Sequence, residues 1–440
     1  MQDSLKSNTS DLEKSIEPVV ASSEITDMAR QEHPATYDAL ILDANLRQSL
    51  VTIRSLGRRG LHVAALETRD AKYVPTFASR WCAHSYRAPV YDRHTEAYTT
   101  YLQQLLTHTG AGVVFASSDG TLAVLREYRT AIERHTRLAL AKESALEAAT
   151  NKGQTLEVAR RLGIGVPEGV VVSGIDEVSE AIHEIGLPAV IKPIETWLWG
   201  EQQGLRLLCE LVTTPDEARR AVEKLTCSGG TTLFQQFLAG RREAVSLLYA
   251  RGDIAARFAQ WAKRTQPPLG GTSVLRQSIA MPEDIGSQAE LLVREIDLEG
   301  YSEVEFRRDA RGKPYLMEIN PRLSASVEVA VRAGIDFPYL LYQWASGERL
   351  QPIKGYQIGR WMRYLGGDIV STVEALEARG RPGVTSPVQT LLNFGTSFFI
   401  PTGYDYVDWQ DLSPAWIASK DFLSRAKKQV GQRSFRRTKE

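Results

Sequence analysis

The chain has 440 residues, with 53 basic against 53 acidic side chains, 43% apolar and 24% charged residues; at roughly 150 residues per folding unit that is about three units with ordinary cores. This balance excludes a collagen, a disordered chain and a broadly cationic nucleic-acid binder. No apolar run approaches the about 18 residues of a membrane span, and the opening MQDSLKSNTSDLEKSIEPVV carries acids where a secretory leader needs bases and an apolar stretch, so a cytoplasmic protein without membrane or nucleic-acid partners is expected.

Residues 1–35 are polar and lack a sustained period, which predicts a disordered tail. From Tyr37 the pattern changes to a strand (Ala39 to Leu42), a helix (Leu46 to Arg58) closed by Gly60, and a second strand (Leu61 to Leu66). That succession marks a parallel sheet with covering helices. A further strand at Gly112 to Ala116 runs into Ser117-Ser118-Asp119, and such carboxyl ends are where open α/β sheets hold ligands. Neither GxGxxG after the first strand nor GxxxxGK[ST] is present, which removes a dinucleotide fingerprint and a P-loop.

One helical period runs from Lys142 to Gly163. Alternating elements follow: a strand at Gly169 to Val172, a helix at Ile175 to Ile185, a strand at Pro188 to Lys192, a helix at Pro215 to Leu225 and a strand at Thr232 to Phe237. Long antiparallel strands (Ala244 to Leu248, Ile254 to Trp261) and a Pro/Gly-rich loop (Gln266 to Ser273) complete an α+β region. From about Gln351 the chain is aromatic and mixed and ends in a basic tail, read as a solvated end. Cys82, Cys209 and Cys227 are scattered, which fits neither a disulfide framework nor a zinc cluster. All seven histidines lie at or before His183, so chemistry beyond that point rests on Lys, Arg, Asp, Glu and backbone groups.

The stretch SEVEFRRDARGKPYLMEINPR (Ser302 to Arg322) carries the sharpest signal. Two alternating runs flank a turn, and taking Arg311-Gly312 as a two-residue loop sets Glu305 opposite Glu318. Opposed Cβ atoms lie about 5 Å apart, where two carboxylates repel by roughly 3 kcal/mol at an effective dielectric of about 20. A hard divalent cation reverses that sign, because Mg²⁺ prefers carboxylate oxygens and shares its shell with phosphates. Asn320, two residues beyond Glu318, offers a third ligand on the same face, and Arg322 can hold a phosphate or a developing oxyanion through paired N–H donors. The other reading is a solvated sheet face balanced by Arg307, Arg308 and Lys313; acids recurring on both strands favour the metal.

These residues resemble the ATP-grasp superfamily over roughly Tyr37 to Gly347: Lys152 opening a helix before LGIGVP, Lys192 ending GLPAVIKP, a hinge followed by an acid in LFQQFLAGRREAVS, and EINPR closing the hairpin. The resemblance implies a fold of mixed α/β and α+β class: a Rossmann-like domain (36–140), a two-lobed ATP-grasp domain (141–350, lobes 141–231 and 232–350) and a C-terminal extension (351–440). It implies ATP and Mg²⁺ as cofactors, with Mn²⁺ an alternative, held by Glu305, Glu318 and Asn320. Lys152 and Lys192 would contact nucleotide phosphates, Gln235, Gln236 and Leu238 the adenine, and Glu243 the ribose, while Lys192 and Arg322 would act in catalysis. Two departures stand out. The loop after Lys192 reads ETWLWGEQQGLRLL, with Trp197 and Trp199 in place of most glycines, and Gln235 replaces a common hinge acid.

The loop KRTQPPLGGTSVLRQS resembles a carboxylate-amine ligase subgroup that includes D-aspartate ligase, and Arg264, Gly271, Ser273 and Arg276 would bind the acceptor's anionic group. The leading expectation is therefore an ADP-forming ligase acting on a small carboxylate and an amine, in a family where homodimers are common. A phosphotransferase acting on a hydroxyl or enol is the second reading, and a nucleotide-binding protein without turnover the third.

Overall fold

A computed structural model describes residues 36–91, 95–194, 197–199, 204–207, 209–227 and 230–437; the tail expected at 1–35 lies outside them. The first domain is a five-stranded parallel sheet of order β3-β2-β1-β4-β5, from β1 (Ala39–Ile41), β2 (Val63–Thr68), β3 (His84–Ala88), β4 (Val113–Phe115) and β5 (Arg137–Leu138). Its helices are α1 (Arg47–Arg58), α2 (Thr95–Thr109) and α3 (Asp119–Glu127). The strand order reverses direction between β1 and β4, the position at which open parallel sheets hold ligands beside their carboxyl ends.

The period expected to run unbroken from Lys142 is two helices, α4 (Glu143–Thr150) and α5 (Lys152–Arg161). Asn151 breaks it, because its side chain accepts the Gln154 N–H and caps α5. The small lobe is a four-stranded antiparallel sheet, β10-β7-β11-β6, formed by β6 (Gly169–Val172), β7 (Ala189–Pro193), β10 (Glu210–Val212) and β11 (Thr232–Gln236). Helices α6 (Val178–Ile185) and α7 (Pro215–Thr226) cover one face and close a separate core around Ile191, Val222 and Phe234. Between β7 and β10, β8 (Trp197–Trp199) and β9 (Gly204–Arg206) pair as a hairpin, in the segment where tryptophans replace most glycines of the family's triphosphate loop.

The large sheet has seven strands in the order β16-β15-β12-β13-β14-β17-β18: β12 (Arg242–Ala250), β13 (Asp253–Gln266), β14 (Thr272–Ile279), β15 (Gly300–Arg308), β16 (Pro314–Asn320), β17 (Trp361–Arg363) and β18 (Thr402–Tyr404). On one face α8 (Glu283–Glu295) meets Val245, Val304 and Phe306 in a core that continues into the first domain. On the other, α9 (Glu328–Ala333) and α10 (Phe337–Ala345) pack with Phe258, Tyr301 and residues of α1. Helices α11 (Leu365–Glu377), α12 (Pro387–Thr396) and α13 (Ser413–Arg437) complete the described chain.

The extension also clamps α1. Arg47, Arg54 and Arg58 project from that helix to Asp405, Asp411 and Asp408. Asp405 accepts from Arg276 at 2.6 Å, Arg332 reaches Asp408 at 2.8 Å, and Ser79 Oγ donates to Asp411 at 2.7 Å. Burial alone would raise Asp405, but Arg276 and Arg47 hold its carboxyl below the usual range.

Candidate active site

The structure sets Glu305 opposite Glu318 in the β15–β16 ladder. The route differs from the expected two-residue loop: Asp309 to Lys313 form a longer turn, with Asp309 Oδ1 accepting the Arg311 and Lys313 N–H groups and Gly312 at φ 83°. Arg308 consequently pairs with Pro314, and a bulge at Met317 restores the pairing of the two glutamates. Lys192 Nζ, at the end of β7, lies 4.0 Å from Met317 Sδ. Burial pushes its ammonium pKa down; Glu318 and Glu305 favour the charged form and Lys152 opposes it. Four charged groups from four elements thus converge in one cleft.

Glu305 is buried and ion-paired to Arg242, and Asn320 Nδ2 donates to its Oε1 at 3.2 Å. Burial raises its pKa to about 7, with Glu318 and Glu303 adding to the rise and Arg242 opposing it. Among the described residues there is no cluster of three His, Cys, Asp or Glu side chains around one point. The donor set is two carboxylates and the Asn320 amide, which fits a hard cation completing its shell on phosphate oxygens. Arg242 also donates to the Gly271 carbonyl, and Arg307, paired with it in register, donates to the Leu269 carbonyl at 3.1 Å. Burial and then the neighbouring Arg242 lower the Arg307 pKa to about 10. These two guanidiniums belong to the cleft; the sequence named Arg307 only as a counter-charge on a solvated face and did not name Arg242. The signal for Arg307 was its place two residues from Glu305 on the same strand face.

A cavity of about 370 Å³ adjoins the carboxylates, lined by Lys152, Glu318 and Asn320 together with Asp119, Arg126 and Trp197. Trp197 lies tilted against Tyr91, with ring centroids 5.5 Å apart, and gives the cavity an aromatic wall. The Trp199 side chain lies outside the described residues. Arg322 turns to the first domain: its Nε and Nη2 grip the Asp119 carboxylate at 2.6 and 3.0 Å. Asp119 was named in the sequence only as the polar end of a strand.

Four of the expected site residues have groups already engaged elsewhere. Glu243 lies opposite Phe306 in the ladder whereas Glu305 lies opposite Ala244, so Glu243 is on the reverse face, held by Arg308 at 2.7 Å and Arg241 at 3.0 Å. Gln236 gives its backbone N–H to the Glu168 carbonyl at 2.9 Å, so that N–H is not free to donate to a base. Arg264 is bound to Asp368 at 2.5 and 2.7 Å, and Arg276 is fully buried on Asp405 and the Ser326 carbonyl; C-terminal acids occupy both guanidiniums intended for an acceptor. Gly271 stays beside the cleft through Arg242, and Ser273 is buried within β14. Gln235 shares the cleft face of the small sheet with Lys192, and its buried Nε2 has no hydrogen-bond partner. Leu238 follows β11 and is buried.

A family model described as ATP-grasp in the biosynthetic pathway with Ter operon matches residues 232–362. The carbamoyl phosphate synthase large chain of Methanoculleus marisnigri is 27% identical over 220 residues, covering 48% of this chain and 20% of that protein. The D-alanine–D-alanine ligase of Chromohalobacter salexigens is 25% identical over 206 residues, covering 43% of this chain and 62% of its own length. The chain therefore spans less than two thirds of either relative. Among solved structures, L-amino acid ligase from Bacillus licheniformis superposes with a TM-score of 0.59 at 16% identity, over 74% of this chain and 79% of that one. Biotin carboxylase from Campylobacter jejuni gives a TM-score of 0.58 at 15% identity over 74% of each chain. At that identity these two structures speak for the fold alone.

Proposed function

Since the chain belongs to the ATP-grasp superfamily, we propose that it is an ADP-forming ligase that joins a small carboxylate to an amine through an acyl phosphate. The observation that carries this reading is the pairing of Glu305 with Glu318 beside Lys192 and Lys152. Glu305, Glu318 and Asn320 would hold a divalent cation, which would supply positive charge to offset that on the transferred group. Lys152 and Lys192 supply ammonium donors to the phosphate oxygens from a helix start and a strand end. Gln235 Nε2, a buried donor lacking an acceptor, suits a ring nitrogen of the nucleobase.

The carboxylate oxygen attacks the γ-phosphorus and the bond to the ADP oxygen breaks. The amine nitrogen then attacks the acyl carbon, and phosphate leaves with the surplus proton. Arg322, fixed by both oxygens of Asp119 and close enough to feel Glu318, would stabilise negative charge developing in the cleft. The cavity beyond Glu318 is lined by both signs, with Arg126 paired to Glu143 and Asp119 to Arg322. We place the enzyme in the cytoplasm, as a homodimer acting on small molecules, with light scattering as the check on assembly; no helix among the described residues is long and apolar enough to cross a membrane.

The test is ADP release by the full-length protein with MgATP and pairs of amino acids or small carboxylates. Amine-dependent ADP release is expected. A stable phosphorylated product formed without any amine would select a phosphotransferase instead.

A further inference from the structure

At the carboxyl ends of β1, β2 and β4, the first domain gathers polar side chains that the phosphoryl-transfer chemistry does not use. Asp43, Gln48, Glu67, Tyr98 and Ser117 are 8, 4, 8, 1 and 1% exposed. Asp43 leaves β1 in the left-handed region (φ 54°), and its Oδ2 accepts from Ser117 N at 3.1 Å and Thr121 Oγ1 at 2.5 Å. Glu67 accepts from Asn45 N at 2.6 Å and from Thr68 N at 2.8 Å. Gln48 spends its Nε2 on the Ser117 carbonyl at 2.5 Å. Gln48 Oε1, Ser117 Oγ and the Tyr98 hydroxyl are left buried without a hydrogen-bond partner.

Among the described residues neither carboxylate forms an ion pair. Arg87 is the cation that acts on Glu67, yet its Nη1 donates to the carbonyls of Thr68 and Ala71 at 3.1 and 2.5 Å. Burial and then Glu67 raise Asp43 to about 6. Buried carboxylates without a counter-charge are rare in folded proteins, and each buried orphan oxygen carries an unrecovered desolvation cost. The Gln48 oxygen can only accept, and both hydroxyls are able to. An anion would be repelled by two carboxylates, and a neutral donor would leave them uncompensated. A compact monocation with several N–H donors meets both demands.

The crevice lies at the reversal of strand order, where open parallel sheets bind ligands. It adjoins the cleft: Thr121, the donor to Asp43, sits on α3, whose Asp119 and Leu122 line the cavity with Lys152 and Glu318. Tyr98, Tyr91 and Trp197 form an aromatic chain between the two, at successive centroid separations of 5.5 Å.

We propose that this crevice binds a primary ammonium group, with Asp43 and Glu67 supplying the opposite charge and Gln48 Oε1, Ser117 Oγ and the Tyr98 hydroxyl accepting its protons. Assigning that ammonium to the amine substrate rests on the ligase reading; the site itself does not. The first measurement is thermal unfolding of the full chain without nucleotide, in methylammonium or tetramethylammonium chloride at matched ionic strength. Methylammonium is expected to raise Tm saturably, and tetramethylammonium, with equal charge and no N–H, is not. Tyr98→Phe removes an orphan hydroxyl at little cost to the fold, and it and Ser117→Ala should each raise the half-saturating concentration about three- to tenfold. Asp43→Asn should abolish the response. Equal responses to the two cations, or an unchanged response in the Tyr98→Phe and Ser117→Ala variants, overturn the site whether or not the protein turns over ATP. Under turnover, ammonium chloride competing with the amine identifies the site as the substrate's; activation without competition identifies a resident cation.

Discussion

Two regions of this molecule bury several charges, and they treat them in opposite ways. In the C-terminal clamp every buried acid meets guanidinium groups, and Asp405 and Asp408 are held below the usual carboxylate range by Arg276, Arg47 and Arg58 against the effect of burial. In the cleft, burial dominates: Glu305 is raised to about 7 and Lys192 is lowered, because the partners present do not compensate them. The clamp is complete without a ligand and fastens the first domain to the large sheet. The cleft is electrostatically unfinished, which is the condition expected of groups that wait for phosphate and metal.

Breaking the clamp is the severest test of this contrast. Asp405→Ala strands Arg276 and Arg47 and should cost about 3–5 kcal/mol by denaturant titration. Because the folded pKa of Asp405 is depressed, its contribution is present above about pH 4 and is lost as pH falls through the folded value, so wild type and variant should converge in acid. In the cleft, Glu318→Gln should lower ADP release about 10²- to 10³-fold. It should leave Tm unchanged or higher, since it removes a like charge beside Glu305. A large fall in Tm there would merge the two regions into one structural network.

Asp43 sharpens the comparison by pH. Its folded pKa is raised from 3.8 to about 6, so the folded state holds the extra proton and stability falls as pH rises through that window. Without added amine, Asp43→Asn should match wild type below about pH 4 and exceed it above pH 6 by up to about 3 kcal/mol. The smallest effect belongs to Arg381, part exposed and 2.7 Å from Glu217 on α7. Arg381→Ala should change stability by less than about 1 kcal/mol.

Local patterns were legible, and partners distant in sequence were not. Alternation and a glycine turn located the carboxylate hairpin, although the pairing of Glu305 with Glu318 arises from a longer turn offset by a bulge. That is agreement by cancellation: either deviation alone would have shifted the register by one and separated the acids by face. The break at Asn151 was readable as an N-cap with Gln154 three residues on. The face of Glu243 was not, because it depends on β12 lying beside β15 across more than fifty residues. Arg264 and Arg276 have the residue type of an anion site, and only Asp368 and Asp405, more than a hundred positions later, show them to be already engaged. The spacing of Asp405, Asp408 and Asp411 was visible, but its meaning needed the arginine stripe of α1.

Strands β17 and β18 lengthen the sheet that carries the metal-binding candidates, yet they come from 361–363 and 402–404. During synthesis the ribosome releases all the proposed catalytic groups well before those strands and the aspartates beyond them. A nascent chain therefore carries a bare β14 border and unmatched guanidiniums until residues 361–411 emerge. Premature termination in that stretch should yield an aggregation-prone product rather than a weakened enzyme.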